Sequence, residues 1–263
     1  MANPRAQGRA LLIVLTFALL SIRVAAEPLT LYTEEFPPFN FTQQGEMQGV
    51  STQIIKALMQ QAGFSYRIVS HPWSRSFKQA QTEPNALIYS ISRNPEREAL
   101  FKWIGVLVPA SHSIFALRSR TDIRIEQLSD LQQYRIATQQ NGARESYLLQ
   151  NGLSEQLLLR LSGDQVPLQQ YQLLSRGRID LWPAADAVAH HLLKSQGQDP
   201  ERLLRRVYSL KSLSAQGYYL AASPNSSPEL IAQLRDALIR LKQTPRYQQI
   251  LRNWGMTPAT STH

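Results

Sequence analysis

Two arginines stand where a strand gives way to a turn. Ala86 to Ile91 is a run of apolar and small residues that reads as a strand. Asn94-Pro95 breaks it, because a residue before proline avoids the helical region. Pro95 at a first helical position, followed by Glu96, then opens a short helical turn. Arg93 and Arg97 flank this break. In open α/β sheets small ligands bind at such strand ends, and a guanidinium offers a planar fork suited to a carboxylate. The plain alternative is a surface arginine paired with Glu96 or Glu98. Two aromatics could supply walls for a ligand. Phe36 lies in Glu34-Glu35-Phe36-Pro37-Pro38-Phe39, a proline-stiffened loop that would hold its ring with little ordering entropy left to lose. Trp73 follows Pro72 before a helix, and its face suits a cationic group such as an α-ammonium. Each could instead be a core plug; Phe39 is expected to be one.

Other chemistries find little support. Glu34 and Glu35 lie near the expected cleft, so a dehydrating carboxyl stays open. No nucleophile and base can be paired by spacing, and no nucleotide motif is present. His71 stands alone before a proline, and the adjacent His190 and His191 point apart on a helix, so no metal or other cofactor is expected. The chain has no cysteine, which excludes disulfides and a lipid-modified cysteine. Its formal net charge of +9 could suggest nucleic acid. The arginines are scattered, though, without a basic helix or an aromatic RNA-binding motif, and no nucleic-acid partner is expected.

These residues need elements to hold them. Residues 1–26 read as a cleaved secretory signal: Arg5 and Arg9, an apolar stretch from Ala10 to Leu20, then Val24-Ala25-Ala26 before Glu27. An uncleaved anchor is the alternative. Loss of Arg5, Arg9 and Arg23 would bring the net charge from +9 to about +6. Leu29 to Thr33 reads as a strand. Ile54, Ile55, Leu58, Met59 and Ala62 recur at helical spacing up to Gly63, and Phe64 to Val69 alternates as the next strand. That order begins a doubly wound α/β lobe. Ile114 to Leu117 is expected to cross into a second lobe, whose strands include Tyr134 to Thr138. A helix over Leu168 to Leu174 turns through Gly177-Arg178-Ile179-Asp180 into a buried strand. Val207 to Leu210 and Gly217 to Ala222 are the last strands, and Pro228 opens a helix with Leu230, Ile231, Leu234, Leu238 and Leu241 on one side.

Several of these stretches together resemble family 3 periplasmic solute-binding proteins, over nearly all of the chain after residue 26. They are the strand with Ser90 and Ser92 followed by Glu96-Arg97-Glu98 and Phe101, the Phe36-Pro37-Pro38-Phe39 loop, and Leu128-Ser129-Asp130-Leu131. The Gly-Arg-Ile-Asp turn and the terminal Tyr247 to Trp254 helix complete the set. The resemblance implies an α/β, type II periplasmic binding fold with two crossings between lobes. Lobe 1 would comprise 27–114 plus 212–263 and lobe 2 would comprise 115–211. It implies a monomer in the periplasm that captures a small polar solute, an amino acid or another small carboxylate, and delivers it to an ABC transporter permease. Arg97, with Ser90 and Ser92, would hold a carboxylate from one lobe. The helix start at Gly142 and Ala143 would offer backbone N–H groups from the other, although Ala143 lacks the usual hydroxyl. Phe36 and Trp73 would form walls. The acid that clamps an α-ammonium falls at Ala185 here, and Asp186 could serve only with a shifted turn. Asp180 is expected to fix its turn and not touch the ligand. Two alternatives stay open: a secreted dehydratase-like enzyme on this fold, and a soluble co-receptor that passes its ligand to a sensor. A membrane-anchored sensor would need a membrane helix after the binding domain, and the chain ends at His263.

Overall fold

A computed structural model describes residues 27–214 and 217–256. The signal-peptide expectation for 1–26 lies outside the described residues. In chain order the strands are β1 (Leu29–Thr33), β2 (Phe41–Gln43), β3 (Glu46–Gln48), β4 (Tyr66–Ser70), β5 (Leu87–Ser92), β6 (Lys102–Val108), β7 (His112–Leu117), β8 (Ile136–Gln139), β9 (Leu158–Leu161), β10 (Trp182–Ala185), β11 (Leu204–Ser209) and β12 (Tyr218–Ala222). The helices are α1 (Val50–Ala62), α2 (Trp73–Thr82), α3 (Ala143–Gln150), α4 (Val166–Ser175), α5 (Asp186–Ser195), α6 (Pro200–Leu203), α7 (Lys211–Ser214), α8 (Pro228–Lys242) and α9 (Pro245–Asn253).

Two sheets organise the chain. The first has the order β4-β1-β5-β12-β6, with β1 parallel to β4 and β5 and with β12 antiparallel to β5 and β6. One of its faces carries α1, α8 and α9 over Leu31, Leu87, Leu107 and Leu220; the other carries α2 over Tyr32, Ile88 and Ile91. Such two-sided cover is why β1 and β5 are buried along their whole length and read as apolar runs. In α1 the residues Val50, Ile54, Ile55, Leu58 and Met59 are all buried on one side. Each such side chain contributes about 1.5–3 kcal/mol on burial. The second sheet has the order β10-β7-β11, all antiparallel, and the parallel pair β8-β9 joins it through a bridge between Ile136 and Leu181. Its two faces also hold separate apolar clusters.

Both connections between the sheets are displaced by a few residues from the expected boundaries at 114 and 212. All of β7 pairs within the second sheet, so the chain leaves the first sheet between Val108 and His112. The expected boundary at 114 falls inside that strand. Apolarity marked the strand but could not mark the turn before it. On the return path, Leu210 and Leu213 pack in the second sheet's cluster and Tyr218 in the first sheet's. Gly217 sits on this path with φ +76, and a Cβ there would lie 2.5 Å from the Val108 carbonyl oxygen. The two passages therefore touch at a point that admits only glycine.

The turn residues do what their types imply. Ser227 caps α8 by accepting the Leu230 N–H, and Pro228 follows it. Asp180 accepts from the Arg135 backbone and side chain and from Arg120 at 2.9–3.0 Å, and these contacts hold its carboxyl well below the usual range. It locks the turn before β10 to the start of β8.

Candidate functional site

The site begins at the end of β5. Asn94 accepts the Arg97 N–H through its side chain at 3.0 Å, and Pro95 starts a single 3-10 turn, Pro95–Leu100. This turn aims the two arginines in opposite ways. Arg93 faces solvent and pairs with Glu98 at 2.5 Å, so the surface-pair alternative holds for it. Arg97 points inward and is 3% exposed. It donates through Nη1 to the Ser92 carbonyl at 3.1 Å and through Nη2 to the Asn141 carbonyl at 2.8 Å. Its guanidinium lies 5.2 Å from the Trp73 ring centroid and 5.1 Å from that of Phe77. Among the described residues no carboxylate lies within ion-pair distance of it. Burial lowers its pKa to about 10, which leaves it cationic at neutral pH.

The facing wall is the β8–α3 turn. Gly142 precedes α3, and a Cβ there would lie 2.8 Å from the Gln139 carbonyl oxygen. Its N–H is already committed to that oxygen at 2.9 Å, so it is not available to a ligand as expected. The remaining N–H groups of the first turn, at Ala143 and Arg144, have no acceptor within the helix. Asn141, at φ 58, holds the turn to its own lobe: its N–H donates to Glu145 at 2.6 Å, and Glu145 is paired with Arg160. Its carbonyl takes both Arg97 Nη2 and Trp73 Nε1, each at 2.8 Å, and its side chain donates to Ser74 Oγ at 3.2 Å. One backbone oxygen thus gathers two donors from the opposite lobe. Trp73 was expected to offer its face to a cation of the ligand; Arg97 occupies that face instead.

Between these walls lies a cavity of ≈ 20 Å³ lined by Glu34, Phe36, Trp73, Ser90, Ser92, Arg97, Gln139, Gly142, Ala143, Arg144 and Tyr218. That is room for about one water. The loop after β1 places Glu34 and Phe36: Phe36 N–H donates to Asn40 O, and Asn40 Nδ2 to Glu34 O, both at 2.6 Å. Phe36 stacks on Phe39 at 5.2 Å and meets Tyr218 edge-on at 5.5 Å, so it is both a core residue and a cavity wall. Glu35 turns away, held by Thr42 and Ser70. Glu34 turns in and accepts from Gln139 Nε2 at 2.5 Å across the cleft. Loss of hydration raises its pKa to about 7, against the opposing pull of Gln139, Arg144 and Arg97. Arg144 is 9% exposed, with its guanidinium 6.0 Å from the Phe36 ring and 3.5 Å from His112 Nδ1. Burial, with this cation beside it, holds the His112 pKa well below the ordinary value, so the ring stays neutral. Burial also raises the pKa of the Tyr218 phenol above the usual tyrosine range.

Ser90 has φ 60, and the pairing of β5 with β12 skips it: Tyr89 faces Leu220 and Ile91 faces Tyr219. It is the extra residue of a bulge, which re-aims the strand at the cavity. Its buried hydroxyl has no hydrogen-bond partner.

Seven of the eight residues expected from sequence, Phe36, Trp73, Ser90, Ser92, Arg97, Gly142 and Ala143, line this one cavity. Asp186 does not. It starts α5, and its Oδ2 accepts from Ser111 Oγ at 2.5 Å and Arg206 Nη2 at 2.8 Å beside the first crossing. No shifted turn brings it to the site. Gln139, Arg144 and Tyr218 were not foreseen. Arg144 had a readable signal, since a first-turn side chain directly after Gly142-Ala143 must lie beside the cleft. Tyr218 had none, because only the antiparallel insertion of β12 next to β5 brings it there.

Comparison with known proteins bears on this geometry. The family profile of bacterial extracellular solute-binding proteins, family 3, matches residues 29–257. No curated protein sequence matches. Among solved structures, a histidine kinase sensor domain with similarity to periplasmic binding proteins superposes with a TM-score of 0.74 at 21% identity, covering 87% of this chain and 96% of that one. The arginine-, lysine-, histidine-binding protein ArtJ from Geobacillus stearothermophilus gives a TM-score of 0.73 at 19% identity, over 88% and 97%. The ancestral amino acid-binding protein AncCDT-1, a precursor of cyclohexadienyl dehydratase, gives 0.69 at 18%, over 86% and 94%. At these identities the likeness speaks for the fold.

Proposed function

Since this chain belongs to the bacterial extracellular solute-binding proteins of family 3, we propose that it captures a small carboxylate-bearing solute, in the first place an amino acid, by closing two lobes over it in the periplasm, and passes it to an ABC-type permease. One observation carries the reading. Arg97 is buried to 3% exposure in the cleft, fixed between two aromatic rings, with a neutral backbone oxygen where an anion would bind more strongly. The open N–H groups at the start of α3 face the same place from the other lobe and favour an anion there. One carboxylate would satisfy donors on both sides, which gives closure its physical cause. Structural neighbours that bind arginine, lysine or histidine agree with a small zwitterionic solute as cargo. We place the hinge at the two passages, between Val108 and His112 and near Gly217.

Calorimetric titration of the purified protein with amino acids and small carboxylates tests this. Arg97→Ala should weaken binding by about 2–5 kcal/mol, as for one partner of a buried charge-assisted pair. An unchanged affinity removes Arg97 from the site. A second reading, an enzyme on the same fold, is favoured by one observation: Glu34 faces the cavity with a pKa of about 7, suited to proton transfer. Loss of a bound ligand's proton-NMR signals in favour of product signals, abolished in Glu34→Gln, would establish it.

A further inference from the structure

The binding reading leaves the second buried guanidinium without a task. We propose that Arg144 is a second anion point of the same cleft, so that the solute carries two carboxylates, one held by Arg97 and the other by Arg144. The inference rests on the binding reading above. Its first support is placement. Arg97 stands against Trp73 and Phe77 on one wall, while Arg144 stands over Phe36 beside His112 on another, and both line the one cavity. Its second support is the charge account. The other acids nearby are committed: Glu145 to Arg160, Asp186 to Arg206 and Ser111, Glu35 to Thr42 and Ser70. Glu96 acts on Arg97 from the solvent side, and Glu34 is the one acid among the residues lining this cavity with the two buried cations.

A buried charge without a counter-charge is costly, so the solute's own charge must close this account. A neutral amino acid leaves one guanidinium in excess, and a cationic one makes matters worse; a plain monocarboxylate closes the sum only with Glu34 ionised, and gives one of the two arginines no anion of its own. A solute with two carboxylates and an ammonium balances both arginines and gives Glu34 the ammonium. One with two carboxylates and no ammonium balances them once Glu34 holds a proton. Both share the two-carboxylate chemistry. In the first case Glu34, from the first lobe, takes the place of the acid missing at Ala185 in the second. The small closed cavity also requires the solute to displace the Asn141 carbonyl from Arg97, which a carboxylate does with a stronger bond.

The experiment is calorimetry of the purified protein with glutamate, aspartate, glutarate, succinate, glutamine, arginine and propionate. A dicarboxylate should bind at least about tenfold more tightly than glutamine, arginine or propionate. Arg144→Gln should then cost that dicarboxylate about 100-fold, at least about tenfold more than it costs glutamine. Glutamate against glutarate distinguishes the amino from the plain dicarboxylate. If glutamine, arginine or propionate binds as tightly as any dicarboxylate, this inference is overturned and the binding reading stands. If no amino acid or carboxylate binds, both fall. Should Arg144→Gln melt early, the wild-type ranking still decides, and Arg144→Lys, which keeps the charge but loses the fork, should show an intermediate loss.

Discussion

Glu34→Gln isolates the group on which the cleft's electrostatics turn. The carboxylate lies against Gln139, Arg144 and Arg97, yet removal from water dominates and lifts its pKa from 4.5 to about 7. At about 1.4 kcal/mol per unit, that difference is worth about 3 kcal/mol at most. The sign follows from proton binding. Between pH 4.5 and 7 the folded protein holds this proton and the unfolded chain has lost it, so stability falls as pH rises through that window and levels off above it. Glutamine keeps the size and a carbonyl oxygen for Gln139 but cannot titrate. Urea unfolding at half-unit steps from pH 4 to 8 gives wild-type and variant stabilities at each pH. The wild-type minus variant difference should decline by up to about 3 kcal/mol across the window. A flat difference would mean that the Glu34 carboxylate is solvated in the unliganded protein, and the closed, dehydrated cleft would be refuted as its resting state. The same carboxylate predicts proton release when an ammonium-bearing solute binds near pH 6, read as a binding enthalpy that varies with buffer ionisation enthalpy.

Three further substitutions probe separate parts of the argument. Ser90→Ala removes a buried hydroxyl with no partner, so the unliganded protein should melt no lower than wild type, while affinity for the bound solute drops by about fivefold if that hydroxyl donates to it. Gly217→Ala puts a Cβ 2.5 Å from a backbone oxygen at φ +76; it should cost about 2 kcal/mol or more, a fall of several degrees in Tm, and an unchanged melt would contradict the tight crossing. Asp180→Asn should lower stability at neutral pH by about 1 kcal/mol, since Arg120 and Arg135 are partly solvated. Because the Asp180 pKa is depressed in the fold, that loss should persist above the unfolded value of 3.8 and shrink as pH falls below it.

What the sequence disclosed follows from the range of the forces involved. β1 was legible to the residue because Leu29, Leu31 and Tyr32 with β-branched threonines favour a strand, set between Pro28 and Glu34. The turn at Asn94-Pro95 was legible because proline and a capping side chain act locally. Asp180 as a turn lock was legible from its motif alone. The strand limits near Tyr134 and Val207 were displaced by two or three residues, since pairing with β9 and β7 decides them. Illegible altogether were properties made by two distant segments meeting. The bulge at Ser90 exists only against β12, the occupation of Trp73 by Arg97 only across the turn, and the isolation of Asp186 only through Arg206. The Gly142 N–H was assigned to a ligand on its place in the chain, and the backbone's own turn had already taken it.

The Asn141 carbonyl is the point at which a ligand carboxylate and the protein's own backbone compete for Arg97. In the closed state this oxygen satisfies one donor of Arg97 and the only donor of Trp73. A neutral hydrogen bond contributes about 0.5–1.5 kcal/mol net, and one to a charged group about 1.5–3 kcal/mol. These two bonds join the lobes, together with the Glu34–Gln139 and Asn141–Ser74 bonds across the same cleft. A carboxylate entering the open cleft offers Arg97 two oxygens in place of one and can still leave the Trp73 donor on Asn141. Its advantage over the carbonyl is the difference between charged and neutral acceptors, multiplied over the fork. Only that differential can shift the lobes toward closure. On the proposed reading a solute without an anionic group would have nothing to add at this point, so Arg97 would act as the gate for charge and Arg144 and Glu34 would choose among anions.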